Sequence, residues 1–103
     1  MKIYIAGKIT GDKYYKRKFR KAEKALRRKG HAVLNPAWIV AHPEFGYDDY
    51  MLISATMQKV CNAVFFLPDW QGSNGANIEY YKAINLQQTL FFDIKEVPKN
   101  TKK

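Results

Sequence analysis

A glutamate, Glu79, follows a loop rich in glycine and small polar residues, Pro68–Asn74. Apolar spacing beyond the loop predicts a helix from about residue 75 to 87, so the carboxylate lies near the helix start. The helix dipole favours negative charge there, and Ser73 and Asn74 offer hydrogen bonds, so we expect an ionised carboxylate. An ionised, positioned carboxylate is the nucleophile that covalent glycosyl transfer requires. Alternatively, Glu79 only complements the helix terminus.

Four short β-prone runs alternate with helical patterns: KIYIAG, HAVLNP, NAVFFLP and TLFFDI. Helices are predicted from Lys13 to Lys29, capped by Asp12 and stopped by Gly30, and from Asp48 or Asp49 to about Cys61. The residues expected on the buried faces of the second and third helices are Tyr50, Ile53, Met57, Val60, Ile78, Tyr81 or Lys82, and Leu86. Because helices rather than hairpins join the strands, the pattern predicts an α/β fold. We expect a flavodoxin-like or Rossmann-like three-layer sandwich, with a parallel sheet of about four strands in the order 2-1-3-4 and helices on both faces.

Length and composition indicate one globular domain, expected over residues 1–94 and followed by a polar, flexible tail over residues 95–103. No apolar run approaches the roughly 20 residues that cross a bilayer, and no signal peptide is evident, so a cytoplasmic protein without a membrane partner is expected. The single cysteine, Cys61, is expected to be buried. With His31 and His42 it gives no zinc spacing, so we expect no metal and no cofactor.

The net charge of +9 is concentrated, because ten Lys and Arg residues fall between Lys13 and Lys29 against one acid, Glu23. Such a stripe favours anionic partners, among them nucleotides, nucleic acid and acidic lipid. A solvated helix face is the alternative interpretation.

Three loops are expected beyond the carboxyl ends of the strands, where open parallel sheets bind ligands: Gly7–Gly11, Asn35 onward and Pro68–Asn74. The first and third are Gly-rich and lead into helices, whose free N–H groups favour a phosphate or a carboxylate. GKITG is neither a Walker loop nor a dinucleotide fingerprint, so tight turns without a ligand are the alternative.

Aromatic residues near these loops offer faces on which a base can stack, a contact that contributes about 1 to 3 kcal/mol in nucleic-acid complexes. The candidates are Trp38, Phe45, Tyr47 and Trp70. Packing in the core or between subunits is the alternative for each.

Four segments, KIYIAGKITG, GHAVLNP, YDDYM and VCNAVFFLPDWQGSNGANIE, resemble the nucleoside 2-deoxyribosyltransferase-like superfamily. The resemblance runs from Lys2 to about Phe92 and points to a short bacterial and phage branch of unknown function. Its most specific part is the spacing of Ser73, Gly75 and Glu79.

The resemblance implies that Glu79 attacks the anomeric carbon of a nucleoside, expels the base and holds the sugar as an ester that water or another base resolves. Ser73 stands where the branch that hydrolyses nucleoside 5′-monophosphates has a phosphate-binding serine and the true transferases have an aspartate. It therefore favours a phosphorylated ligand. Tyr4 is implied near the glutamate, and Lys8 and Thr10 stand where the monophosphate hydrolases carry a serine and an arginine.

One position departs from the catalytic members, since Ser54 stands where the resemblance expects an aspartate. Asp69 is a candidate to replace that carboxylate, and otherwise a turn residue. The catalytic candidates are thus Glu79, Tyr4 and Asp69. The substrate-binding candidates are Gly7, Lys8, Thr10, Gly11, Asn35, Ser54, Trp70, Ser73, Asn74 and Gly75.

The function expected from these residues is cleavage or transfer of the N-glycosidic bond of a nucleoside or nucleoside 5′-monophosphate. One alternative is a weakly active or inactive nucleotide-binding protein that senses or sequesters its ligand, and another is a basic nucleic-acid-binding protein that uses the first helix. The resemblance also implies sites completed by a neighbouring subunit, so a homodimer or higher homo-oligomer is expected.

Overall fold

The computed structural model describes residues 1–100, in which four parallel strands form one sheet in the order β2-β1-β3-β4. The strands are β1 (Lys2–Ala6), β2 (Ala32–Leu34), β3 (Ala63–Phe66) and β4 (Thr89–Phe91), and the helices are α1 (Tyr15–Arg28), α2 (Tyr47–Lys59) and α3 (Asn74–Asn85). The predicted α/β sandwich and its strand order are confirmed.

Both faces of the central strands are covered, which explains why β3 is buried along its whole length. On one face, Ile3 and Phe65 pack with Phe19 and Leu26 of α1. On the other, Tyr4, Val64 and Phe66 pack with Ala76 and Ala83 of α3 and Met57 of α2. Alternation along the strands therefore divides the core into an α1 layer and an α2–α3 layer.

Local turn chemistry sets the helix ends. Gly30 has φ of +91°, the left-handed conformation that ends α1 as expected. Asp12 does not cap α1, because its carboxylate accepts from the N–H of Tyr14 before the helix begins. Asp49 lies inside the first turn of α2 and accepts from the N–H of Gly46, the residue before the helix.

The predicted buried faces of α2 and α3 are largely wrong. Ile53, Val60, Ile78, Tyr81 and Leu86 are exposed, and the residues that these helices bury are Ser54, Gln58, Ala76, Glu79 and Ala83. Helical spacing identifies a stripe of residues, but it does not decide which of two stripes faces the sheet. Polar groups point inward here because they meet a cavity and one another.

Residues 95–100, assigned by sequence to the tail, pack beside the end of α1. Val97 is buried in the α1 layer, and Lys29 Nζ donates to the carbonyl oxygens of Ile94 and Val97, at 2.7 Å each. His31 Nε2 lies 2.6 Å from the carbonyl oxygen of Pro98. Residues 101–103 lie outside the described residues. Cys61 is buried, as expected.

Within residues 1–100, no helix combines the length and the apolar character needed to cross a membrane.

Candidate active site

A cavity of about 510 Å³ opens at the carboxyl edge of the sheet. Its walls come from the segments that follow β1, β2 and β3 and from one face of α2. In the sheet, β2 lies on one side of β1, and β3 and β4 lie on the other. The strand order therefore reverses between β1 and β3. The cavity therefore occupies the position at which open parallel sheets bind ligands.

Glu79 and Tyr4 form a buried pair in the cavity wall. The Tyr4 hydroxyl donates to Glu79 Oε2 at 2.5 Å. The backbone of α3 is fixed at the same residue, because Gln58 Nε2 donates to the Glu79 carbonyl oxygen at 2.9 Å. Residues of one strand and one neighbouring helix thus fix Glu79, Tyr4 at its carboxylate and Gln58 at its backbone. Tyr4 lies beside the carboxylate, as the resemblance implied.

Burial raises the pKa of Glu79 to about 7, although the Tyr4 hydroxyl, the Lys82 charge and Ser54 each lower it. The pKa of Tyr4 is raised well above its ordinary value, mainly by burial and then by the Glu79 charge. Burial thus opposes the ionisation that the helix start was expected to favour. Glu79 is the sixth residue of α3, where the dipole effect has already weakened, and removal of water outweighs it.

Ser73 caps α3, since its Oγ accepts from the N–H of Ala76 at 3.1 Å. The cap presents the first turn of α3 to the cavity. A Cβ added at Gly75 would lie 3.2 Å from Met51 Sδ and 3.6 Å from the Tyr47 hydroxyl, so glycine permits a close approach of α3 to α2 here.

Eight of the predicted site residues line the cavity: Tyr4, Gly7, Thr10, Ser54, Ser73, Asn74, Gly75 and Glu79. Tyr47, one of the four aromatic candidates, also lines it. The cavity lining in residues 1–100 does not include Asp69, Lys8, Gly11, Asn35, Trp70, Trp38 or Phe45.

Asp69 is engaged elsewhere, because its carboxylate pairs with Lys18 and accepts from the backbone N–H of Lys8 at 3.2 Å. Lys18 pairs with Asp12 as well, so the three side chains join the loop after β1, α1 and the loop after β3. Its position favours a structural role for Asp69 rather than the proposed replacement of the missing aspartate.

Three other candidates outside the cavity lining, Asn35, Trp38 and Trp70, also have interaction partners of their own. Asn35 is buried, where its side chain accepts from the N–H of Ala37 and donates to Glu23. Trp38 also donates to Glu23. Trp70 stacks on Tyr80 with ring centroids 4.9 Å apart, inside a larger aromatic cluster. Packing, the alternative weighed for Trp70, describes its position.

Sequence reasoning named none of the other nine lining residues as site candidates: Ile9, Tyr15, Pro36, Ile39, Ala41, Tyr50, Met51, Gly72 and Ala76. Tyr50 and Met51 precede Ser54 by four and three positions, so helical spacing would have found them once Ser54 was assigned to the site. Tyr15 carried no such signal, because its approach to the cavity depends on where α1 packs.

The charged side chain in this lining is that of Glu79, and no Lys or Arg of the described chain contributes to it. Residues 1–100 contain no group of three or more His, Cys, Asp or Glu side chains that could hold a metal ion.

A family model described as a domain of unknown function, DUF4406, matches residues 1–92. None of the curated proteins matches the chain. A 2-deoxyribosyltransferase from the psychrotolerant bacterium Bacillus psychrosaccharolyticus is similar in structure, with 20% identity, a TM-score of 0.68 and coverage of 87% of this chain and 69% of that one. A 2-deoxyribosyltransferase from Leishmania mexicana is 21% identical with a TM-score of 0.66, and the match covers 86% of this chain but 61% of that longer chain. The chain thus has the fold of these enzymes.

Proposed function

The chain belongs to the DUF4406 family, a domain of unknown function, and we propose that its cavity belongs to an enzyme acting on N-glycosidic bonds. The substrate is a nucleoside or a nucleoside 5′-monophosphate, and Glu79 is the nucleophile. The fold shared with two 2-deoxyribosyltransferases is consistent with this chemistry.

One observation carries the proposal: a buried carboxylate, held by Tyr4 at 2.5 Å, faces a cavity of about 510 Å³ at the strand-order reversal. A volume of this size falls within the range of small-molecule sites. A carboxylate is costly to bury in such a place. Carboxyl groups whose pKa is shifted by burial inside a cleft are concentrated at functional sites, which favours a chemical role.

In the first step, a Glu79 carboxylate oxygen forms a bond to the anomeric carbon while the bond from that carbon to the base nitrogen breaks. The departing electron pair stays on the base, which takes a proton from water. In the second step, water attacks the anomeric carbon, loses a proton and releases the carboxylate. A second base in place of that water gives transfer instead of hydrolysis.

Two features bear on the substrate's charge. Ser73 and the first turn of α3 offer N–H and O–H groups that suit a phosphate. A lining without Lys or Arg among the described residues suits an uncharged nucleoside. Base release measured by chromatography across nucleosides and their 5′-monophosphates, ribose and deoxyribose, decides between them.

We predict that base release rises with pH through about 7, because only the ionised Glu79 carboxylate attacks and its pKa lies near that value. Below the midpoint the rate should fall about tenfold per pH unit. In Tyr4→Phe the midpoint should move upward, since the Tyr4 hydrogen bond lowers the Glu79 pKa. A rate that is flat from pH 5 to 8, or a midpoint unchanged in Tyr4→Phe, would count against Glu79 as nucleophile.

Ser54 favours a second function, a nucleotide-binding protein that senses or sequesters its ligand. The hydroxyl of Ser54 donates to the Met51 carbonyl oxygen and supplies no second carboxylate to assist departure of the base. Saturable binding of a nucleoside or its monophosphate in calorimetry, with no base released over hours, is the result this function expects.

We further propose that a second copy of the chain covers α2 and α3. The two helices and the residues directly after them expose apolar side chains: Leu52, Ile53, Val60, Ile78, Tyr81, Ile84 and Leu86. The exposed residues of α2 continue into a shallow apolar groove that also includes Leu34 and Met57. Surfaces of this kind mark protein interfaces.

Leu52→Lys with Ile53→Lys is therefore expected to convert an oligomer to a monomer, because charges buried in an apolar interface are costly. Analytical ultracentrifugation at micromolar concentration measures the change. Val40→Lys is the matched control, since Val40 is 79% exposed and lies outside both helices. A native protein that sediments as a monomer would refute the proposed interface.

A further inference from the structure

Apart from Arg27, which pairs with Glu23, α1 carries six exposed Lys and Arg residues: Lys16, Arg17, Arg20, Lys21, Lys24 and Arg28. We call these six residues the basic face. None of them forms an ion pair with a carboxylate of residues 1–100, because the acids of α1 and its neighbours are already engaged. Glu23, the one acid on α1, binds Arg27, Asn35 and Trp38. The positive charge of the basic face is thus left uncompensated within the described chain.

Helix geometry spreads these charges along a line. From Lys16 to Arg28 the helix rises about 18 Å, roughly the length over which one strand of a DNA duplex carries five phosphates and long enough to contact several phosphates of a single strand. Four of the residues, Lys16, Arg20, Lys24 and Arg28, follow one another at intervals of four and so lie on one side of the helix. A row of cations at this spacing matches an extended polyanion better than a single small ion.

An exposed aromatic residue stands at the start of this row. Tyr14 is 54% exposed, and its ring lies under Lys13 and Arg17, with Lys13 Nζ at 5.2 Å and Arg17 Cζ at 5.8 Å from the ring centroid. A ring flanked by cations is the combination on which single-stranded nucleic acids stack a base while their phosphates are neutralised. The next residue, Tyr15, lines the cavity, so the row begins at the cavity rim.

We infer that the basic face and Tyr14 form a binding surface for single-stranded nucleic acid. This surface contacts the phosphates and stacks on the bases, so it binds without regard to sequence. A membrane is the less suitable partner. The apolar side of α1, including Phe19 and Leu26, is buried against the sheet, and an interfacial helix needs that side for the bilayer.

The test is the anisotropy of a labelled 12-nucleotide single strand titrated with the full chain at several salt concentrations. A plot of the logarithm of the association constant against the logarithm of the salt concentration should have a slope of about −4 if all six residues of the basic face contact phosphates. For Lys16→Gln, Arg20→Gln and Lys24→Gln combined, the slope should fall to about −2 and affinity should drop at least tenfold. Tyr14→Ala should weaken single-strand binding about fivefold or more and duplex binding less.

The matched control is Lys59→Gln, Lys95→Gln and Lys99→Gln combined, which removes the same charge from exposed sites outside α1 and should bind almost as the native chain does. Equal losses in the two triple variants would overturn the inference, because net charge alone would then explain binding. The inference would also be overturned if the chain did not bind the strand, or if it bound phosphatidylserine vesicles more tightly than the strand. Glu79→Gln should bind the strand normally, so failure here is separable from failure of the proposed enzymatic function.

Discussion

Glu79→Gln is expected to reduce base release by a factor of about 10³ or more, the largest effect of any single substitution in the cavity. The amide keeps the shape of the side chain and can still accept from the Tyr4 hydroxyl, but it is a poor nucleophile toward the anomeric carbon. Chromatography of free base under single-turnover conditions measures the loss. A variant that releases base as fast as the native protein would exclude Glu79 as nucleophile.

Stability provides the internal control for this variant. The folded-state pKa of Glu79 is raised from 4.5 to about 7, so between these values the folded chain binds more protons than the unfolded chain. Stability should therefore fall as pH rises through this window, with a cost on the order of 3 kcal/mol fully present above pH 7. Glu79→Gln removes that cost and should be more stable than the native protein at pH 8. Lost activity would then not reflect unfolding. Glu44→Gln, an isosteric change at an exposed loop residue, should alter neither property.

Ser54→Asp is expected to increase base release by about tenfold to a hundredfold. Ser54 is buried on α2 and lines the cavity together with Glu79, at the position where the resemblance expects an aspartate. A carboxyl group there can orient the sugar and assist departure of the base. A second negative charge beside Glu79 also raises the Glu79 pKa, so the midpoint of the pH profile should move above about 7.

Ser54→Asn separates the charge from the size of the new side chain. Asparagine occupies nearly the same volume as aspartate and also forms hydrogen bonds, but it neither ionises nor donates an acidic proton. It should leave the pH midpoint near its native value and give no gain in rate. Equal gains from aspartate and asparagine would indicate that position 54 acts through packing. No gain from either would favour the nucleotide-binding function.

Local signals predicted much of the scaffold. The β-prone runs and helical spacings gave the order of elements, and the absence of hairpin turns gave a parallel sheet. Gly30 ends α1 because left-handed backbone suits glycine. Such features depend on a few adjacent residues, so they can be predicted without knowledge of the rest of the chain.

The outcome differs for properties that depend on distant neighbours. Asp69 and Trp70 carry suitable chemistry for a site, yet Lys18 and Tyr80 engage them outside the cavity lining. Their partners lie on other elements, and sequence spacing does not show which side chains meet. Tyr15 joins the site for the same reason, through the packing of α1.

The sequence by itself determined the strand and helix order, the Gly-rich loops, the glycine that ends α1 and the strongly basic first helix, because each follows from residues within a turn or two. Only the tertiary structure decided which side of α2 and of α3 faces inward. As a result, Glu79 is buried and apolar side chains of both helices are exposed. The tertiary structure also decided the pKa of the Glu79 carboxyl group. A pKa is set by the water removed and the groups brought near, and both come from packing between elements distant in the chain.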